Sequence, residues 1–483
     1  MTIMTTRVEA LLKLLSKGPF DPESQLLVPT DIAYQASENS YWSNTARLDP
    51  ACIIRPKSSV QVSEILRILV DSNEKFAIRS GGHAPLAGSN NIHGGVTIDL
   101  GLLDDVQFDR GSETVSFGPG VRWGHVYQEV EKHGYAVAGG REVQTGVGGF
   151  LLGGGNTWMT GSRGFACDNV VAFETVLADG RIIVASATTH SDLFRALKGG
   201  SNNFGIVTRF TMSAFPCRLI WGGITVTPKE YSDDAIRMTS TFTEKIAEYP
   251  DSSIVTVLTH LPEMKDVVVS AGLVETKGVE NSPAFREWST LPKILDTTKL
   301  KTLYEIGVET YVPSDYFTTW FTISVKNDQR ILAKAVEVHG KLVEDMRAYI
   351  PENDFITQWI FQPLPRVFSQ HSVAAGGNVL GLERNEVNAM MLQLSTMVRT
   401  ADQRAFAYSK VRDYVAEMKE FAASVDGLLD WIYMNYADST QDVLAGYGAE
   451  NVKFMRDVAD KYDPHQVFQK LCPGGFKISD ATS

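Results

Sequence analysis

The sequence is short of the residues that would make it a metal, disulfide or nucleic-acid protein. Its four cysteines, Cys52, Cys167, Cys217 and Cys472, are scattered along 483 residues with no Cys-x-x-Cys pair. That spacing argues against a zinc cluster, a redox dithiol or a disulfide framework, and it predicts reduced thiols in an intracellular, cytoplasmic protein. Positive charge is in deficit: Lys+Arg 45 against Asp+Glu 57 gives −12. With no basic surplus to neutralise phosphates, neither a nucleic acid nor an anionic membrane is the expected partner. No apolar run approaches the ~20 residues of a membrane span. The N-terminal stretch from Val8 to Leu15 is amphipathic and interrupted by charge, so no signal peptide is read. The nine histidines form no His-x-x-x-His or His-Glu-x-x-His pair, and no metal site is expected.

Two nucleotide motifs are missing as well. No Gly-x-x-x-x-Gly-Lys loop occurs, and a Gly-x-Gly-x-x-Gly fingerprint counted from Gly146 fails at Leu151. What the chain does have is glycine in one place: Gly146, Gly148, Gly149, Gly153, Gly154 and Gly155 crowd ten residues. Glycine costs ~1 kcal/mol in a helix interior, so a plain helix start does not explain the run. Bare backbone against a large ligand does, with N–H groups cradling a pyrophosphate or a ring edge; close packing of a helix on a sheet is the plainer alternative. A second turn, Arg79-Ser80-Gly81-Gly82-His83, follows the short apolar stretch Phe76-Ala77-Ile78. It can wrap a diphosphate and hold one imidazole on a rigid turn.

Residues 47–217 read as a tightly punctuated α/β region. A helix is expected over 59–71 with Ser59 as its cap, strands at 76–79, 96–100, 114–117 and 170–177, and a helix over 121–133 closed by Gly134. From 218 to 430 glycine thins, and the longest helical patterns run over 327–349 and 401–423, with strands such as 267–269 and 390–394 between. Residues 1–46 form an N-terminal arm. Residues 431–483 hold an expected strand at 431–436 and a helix at 450–461.

Taken together, Arg79–His83, the glycine run, Asp168-Asn169-Val170 with Leu177-Ala178-Asp179-Gly180, and Gly199-Gly200-Ser201-Asn202-Asn203-Phe204-Gly205 resemble FAD-linked oxidases of the vanillyl-alcohol-oxidase / p-cresol-methylhydroxylase (PCMH) superfamily. Tyr433-Met434-Asn435-Tyr436 and the run from Lys461 to Phe468 resemble its berberine-bridge-enzyme-like branch. The resemblance implies an α+β fold: a PCMH-type FAD-binding domain (47–217), a substrate domain with an antiparallel sheet covered by helices (218–430), and a C-terminal segment returning to the first domain. It implies a flavin bonded through its 8α-methyl to His83. It places Ile78, Arg79, Ser80, Gly81 and Gly82 in the pyrophosphate loop, with Ser89 and Asn90 beyond. It lays Gly146, Gly148, Gly149, Gly153, Gly154, Gly155 and Asn156 along the cofactor, and Asp168, Asn169 and Val170 at its adenine end. Gly205, Ile206 and Val207 close the site, Asn435 lies near the flavin, and Thr145 sits where oxygen access is tuned. Plant-type relatives bond a cysteine to flavin C6 at the position of Glu142, so a single histidyl link is implied here, with a lower flavin potential and a readily oxidised substrate.

Oxidation of an alcohol or phenol needs a base. Tyr433 is the first candidate and Tyr436, on the opposite face of an expected strand, the second. Tyr433 packing on a ring is the plain alternative. Trp158 and Met159, expected on a helix after the glycine run, are candidates to line the substrate side. The favoured reading is two-electron oxidation of a small secondary metabolite (alcohol oxidation or oxidative cyclisation) with dioxygen reduced to peroxide. The competing reading is a non-redox isomerase or cyclase with a redox-silent or absent flavin.

Overall fold

The computed structural model describes residues 9, 11–16, 18–264 and 266–482. Of the amphipathic N-terminal stretch, Glu9 and residues 11–15 are helical, while Val8 and Ala10 lie outside the described residues. Three sheets carry the architecture. The first has four strands in the order Leu26–Leu27, Cys52–Ile54, Val96–Asp99, Phe76–Arg79, the last three parallel. The strand Phe76–Arg79 delivers the glycine turn and His83 at its C-terminal end. A parallel sheet needs crossovers, and the helix Ser59–Asp71 supplies one. Its cap is Ser58, whose side chain accepts from Gln61 N, rather than Ser59. Val62, Ile65, Leu66 and Leu69 are its buried stripe; Val60 is 57% exposed and stands outside that stripe.

The second sheet is antiparallel, in the order Val106–Asp109, Thr114–Phe117, Ile206–Ser213, Val170–Val176, Ile182–Ser186. The third is larger. Its principal strands run Ile220–Pro228, Val267–Glu275, Ser252–His260, Phe355–Leu364, Ala389–Val398 and Phe317–Lys326, all antiparallel neighbours. The helices Ser232–Lys245, Gln329–Tyr349 and Ala401–Ser424 pack on one face of this sheet. With one face covered by helices, side chains of period two on the other face are free to line a cavity.

The C-terminal segment departs from expectation. Residues 431–436 are not a strand: Met434–Tyr436 is a single 3-10 turn after Tyr433. The helix Ala449–Tyr462 packs on Ser191–Leu197, with Tyr462 donating to Asp192 at 2.8 Å.

Candidate active site

The two glycine segments press directly on one another. A Cβ placed on Gly81 would lie 2.5 Å from Gly146 Cα, and one on Gly146 would lie 2.5 Å from Gly81 Cα. Only glycine allows this approach, which joins the turn after the first sheet to the start of the helix Val147–Leu152. Ser80 ties the pair: its hydroxyl donates to Pro119 O at 2.5 Å and accepts from Gly148 N at 3.2 Å.

Above this junction opens a cavity of about 1080 Å³. Ordinary small-molecule sites hold ~300–1,000 Å³, so there is room for a cofactor and a substrate together. Its floor comes from Ile78, residues 80–83, Ser89, Asn90, Thr145, Gly146, Gly148, Gly149, Asn156 and residues 205–207. Asn435 and Tyr436 reach it from the C-terminal turn. Most of the cofactor residues expected from the sequence are therefore gathered on one wall.

Several expected residues are elsewhere. Arg79 lies over the Tyr41 ring at 3.8 Å and donates to Ser37 O at 2.9 Å and Ser40 Oγ at 2.6 Å, away from the cavity. Asp168 is buried and accepts from Ser372 Oγ at 2.6 Å, Asn378 Nδ2 at 2.9 Å and Phe165 N at 2.9 Å. Asn169 donates to the Arg163 and Phe165 carbonyls, and Val170 starts a strand. Asp168 alone ties Ser372 and Asn378 to the start of this strand, and none of the three residues is on the cavity wall. Gly153, Gly154 and Gly155 are packing glycines: a Cβ on Gly153 would stand 2.0 Å from Asn435 Oδ1. Met159 is core; Trp158, in the turn after Asn156 rather than on a helix, does line the cavity.

His83 is part of this wall. Its ring stacks on Trp42, centroids 4.6 Å apart, and its Nδ1 is buried with no hydrogen-bond partner among the described residues. Burial, with the Arg122 charge adding to it, pulls the imidazole down to about 3, so it is neutral at pH 7. A buried polar atom without a partner costs ~1–3 kcal/mol, which makes the nitrogen of this cavity-lining residue a candidate to bond a bound group. Beside it, the Glu142 carboxylate accepts from Gln144 N at 2.8 Å and Thr145 Oγ1 at 3.0 Å, and burial raises its carboxyl above the ordinary range.

The two tyrosines exchange rank. The 3-10 turn brings residues i and i+3 to one side, and the rings of Tyr433 and Tyr436 meet edge to face at 4.9 Å. Tyr433 is 1% exposed, and its oxygen accepts from Gly155 N at 3.0 Å, Asn156 N at 2.8 Å and Asn435 Nδ2 at 3.1 Å. Burial, with Tyr436 adding to it, pushes that hydroxyl well above its ordinary range. Tyr433 is thereby a buried anchor. Tyr436 lines the cavity, and its oxygen accepts from Arg141 Nη2 at 2.7 Å. The same Nη2 donates to Gln362 Oε1 at 2.6 Å, which also accepts from Asn156 Nδ2 at 3.3 Å. Arg141 and Gln362 carry no sequence motif; only the sheet's register brings position 362 to this wall.

The far wall is the free face of the large sheet. Ile224, Val226, Val255, Val257, Ile356 and Ile360 line it at alternate positions, with Thr259, Ser270, Gln358, Gln362 and Gln393 as uncharged polar points.

A family described as an FAD binding domain matches residues 50–186. The FAD-dependent monooxygenase drtC of Aspergillus calidoustus is 38% identical over 455 residues, covering 93% of this chain and 87% of the relative. The chain belongs to this family of FAD-linked oxidoreductases. Its fold is that of PCMH-type flavoprotein oxidases. The xylooligosaccharide oxidase of Myceliophthora thermophila, solved with xylobiose, aligns with TM-score 0.77 at 18% identity over 99% of both chains. The glucooligosaccharide oxidase of Acremonium strictum, described with a 6-S-cysteinyl, 8α-N1-histidyl FAD, aligns with TM-score 0.75 at 18% identity, covering 95% of this chain and 97% of that one. The cofactor of this FAD-linked oxidoreductase is FAD, and the cavity lining fits it: the glycine junction brings bare backbone to the wall, and His83 brings a ring nitrogen with no hydrogen-bond partner among the described residues.

Proposed function

We propose that the protein is an oxidase that holds FAD through a single link at His83 Nδ1 and oxidises a small secondary metabolite. The observation that carries this reading is His83 itself: neutral, stacked on Trp42, with Nδ1 buried and unpartnered on the cavity wall. Residues 47–217 form the cofactor unit, 218–430 the substrate unit, and 431–483 the segment that returns Asn435 and Tyr436 to the flavin side. Glu142 occupies the position of the second, cysteinyl link, and a carboxylate committed to Gln144 N and Thr145 Oγ1 forms no thioether.

FAD supplies a two-electron acceptor. The chain does the rest. The apolar sheet face seats the substrate and excludes water, and Gln358 and Gln393 offer amides to its oxygen atoms. Tyr436 moves the substrate proton, held in place by Arg141 Nη2. Alcohol oxidation or oxidative ring closure removes two electrons and two protons from the substrate, and dioxygen takes both to leave as hydrogen peroxide. The run of aliphatic side chains along this wall favours a substrate less polar than a sugar.

Two measurements test the reading. The flavin absorbance should stay with acid-precipitated protein, and turnover in isotopically heavy dioxygen should release peroxide equal in amount to product without label in the product. A colourless protein would remove the oxidase reading. Labelled product without peroxide would make the reaction a monooxygenation, the activity named for drtC.

A further inference from the structure

Resting on that reading of the cavity, one charge in it is left without an answer. Arg141 is fixed from both ends: Thr310 Oγ1 donates to its carbonyl, and its Nη2 group donates to Gln362 Oε1 at 2.6 Å and Tyr436 Oη at 2.7 Å. Both side-chain acceptors are uncharged. Nε and Nη1 have no acceptor among the described residues, and no carboxylate among them lies within ion-pair distance of this guanidinium. The guanidinium lies over the Trp158 ring, 5.5 Å from its centroid.

The acidic groups of the lining are committed elsewhere. Glu142 accepts from Gln144 N and Thr145 Oγ1, and burial favours its neutral form. Glu309 pairs with Lys301 at 2.5 Å, and Asp315 with Arg47 at 2.5 Å. Glu263 is exposed. The other lining cation, Arg399, is exposed and stacks on Tyr316 at 3.8 Å. A guanidinium presenting unused donors to a largely apolar cavity is costly unless an anion arrives to share the desolvated space.

We propose that the substrate is an acid: an apolar body carrying an ionised oxygen, as carboxylate, phenolate or enolate, that docks on an unused donor of Arg141, at Nη1 or at Nε. Arg141 is a specificity-determining residue, and the anion it binds lies beside Tyr436 through the shared guanidinium. The apolar body rests on Ile224, Val226, Ile356 and Ile360 of the sheet face. A guanidinium suits this task because it stays charged at any working pH and each unused N–H can make a charge-assisted hydrogen bond.

The test is a binding titration on the purified holoprotein, read by quenching of tryptophan fluorescence, since Trp158 and Trp320 both line the cavity. The probes are cinnamate and its neutral counterpart cinnamamide. Cinnamate should bind about ten-fold tighter, the worth of one charge-assisted hydrogen bond. R141Q should lose this preference, and R141K should keep part of it, with flavin content and melting temperature reporting that both variants are folded. Equal binding of the two probes, failure of cinnamate to bind, or a preference that survives in R141Q would overturn the proposal. A protein without flavin would instead overturn the oxidase reading, and the fluorescence titration would still decide the anion preference.

Discussion

His83 and Trp42 form a stacked pair, ring planes 17° apart, although 41 positions separate them in the chain. Trp42 is 6% exposed and its Nε1 donates to Val312 O at 3.2 Å, so it is anchored to the substrate side while its ring fixes the imidazole on the cofactor side. The pair sets the direction of the unpartnered Nδ1.

Replacing His83 by Ala should leave the fold intact and move the flavin to the supernatant after acid precipitation. Trp42→Ala should give a mixture of linked and free flavin, because the imidazole loses its orienting face. Absorbance of pellet and supernatant checks both, and full retention of flavin in His83→Ala would place the link on another residue.

Tyr436→Phe and Tyr433→Phe should separate chemistry from stability. The first removes a cavity hydroxyl and is expected to lower kcat by about 100- to 10,000-fold with little change in melting temperature. The second strips the acceptor from Gly155 N and Asn156 N, while Asn435 Nδ2 keeps Phe150 O, and should cost about 1–3 kcal/mol of stability through the two buried donors left unpaired. Steady-state kinetics beside thermal unfolding reads both effects.

The two kinds of glycine should also part. Nothing lies within 4 Å of a Cβ on Gly149, which faces the cavity from a helix, so Gly149→Ala should preserve or raise the stability of flavin-free protein and reduce flavin incorporation. Gly81→Ala meets the Gly146 backbone at 2.5 Å and should lower both.

Acid should destabilise the protein through its buried histidines. His339 is fully enclosed behind the sheet, its Nε2 at 2.9 Å from Thr357 Oγ1, and burial first, with His260 and Lys229 adding, lowers it from 6.5 to about 3. The unfolded chain takes up a proton near pH 6.5 that the native state refuses until about 3. Stability from this group is therefore full above pH 6.5 and is lost as pH falls through that window. His339→Gln should flatten this limb of a plot of melting temperature against pH between 7 and 4; an unchanged limb would assign it to other groups.

Sequence alone determined a great deal of the cofactor side. Local rules suffice there: a strand ending in Gly81-Gly82 turns sharply, six glycines in ten residues demand close backbone approach, and period-two runs such as 114–117 form strands whatever surrounds them. Those rules also set the long helices, whose apolar stripes are spaced within one element. The substrate side was decided by tertiary structure. Arg141, Gln362 and Tyr436 come from three distant segments, and only the sheet register and the 3-10 turn after Tyr433 bring them within hydrogen-bond reach. The same turn stacks Tyr433 and Tyr436 on one side, where a strand would have put them on opposite faces, and leaves Tyr433 buried and Tyr436 on the cavity wall. Arg79 and Asp168 stand at cofactor positions of their motifs, but their side chains take partners at Ser37, Ser40, Ser372 and Asn378. A buried polar group goes where its hydrogen bonds are satisfied, and those partners are set by the fold and not by neighbours in sequence.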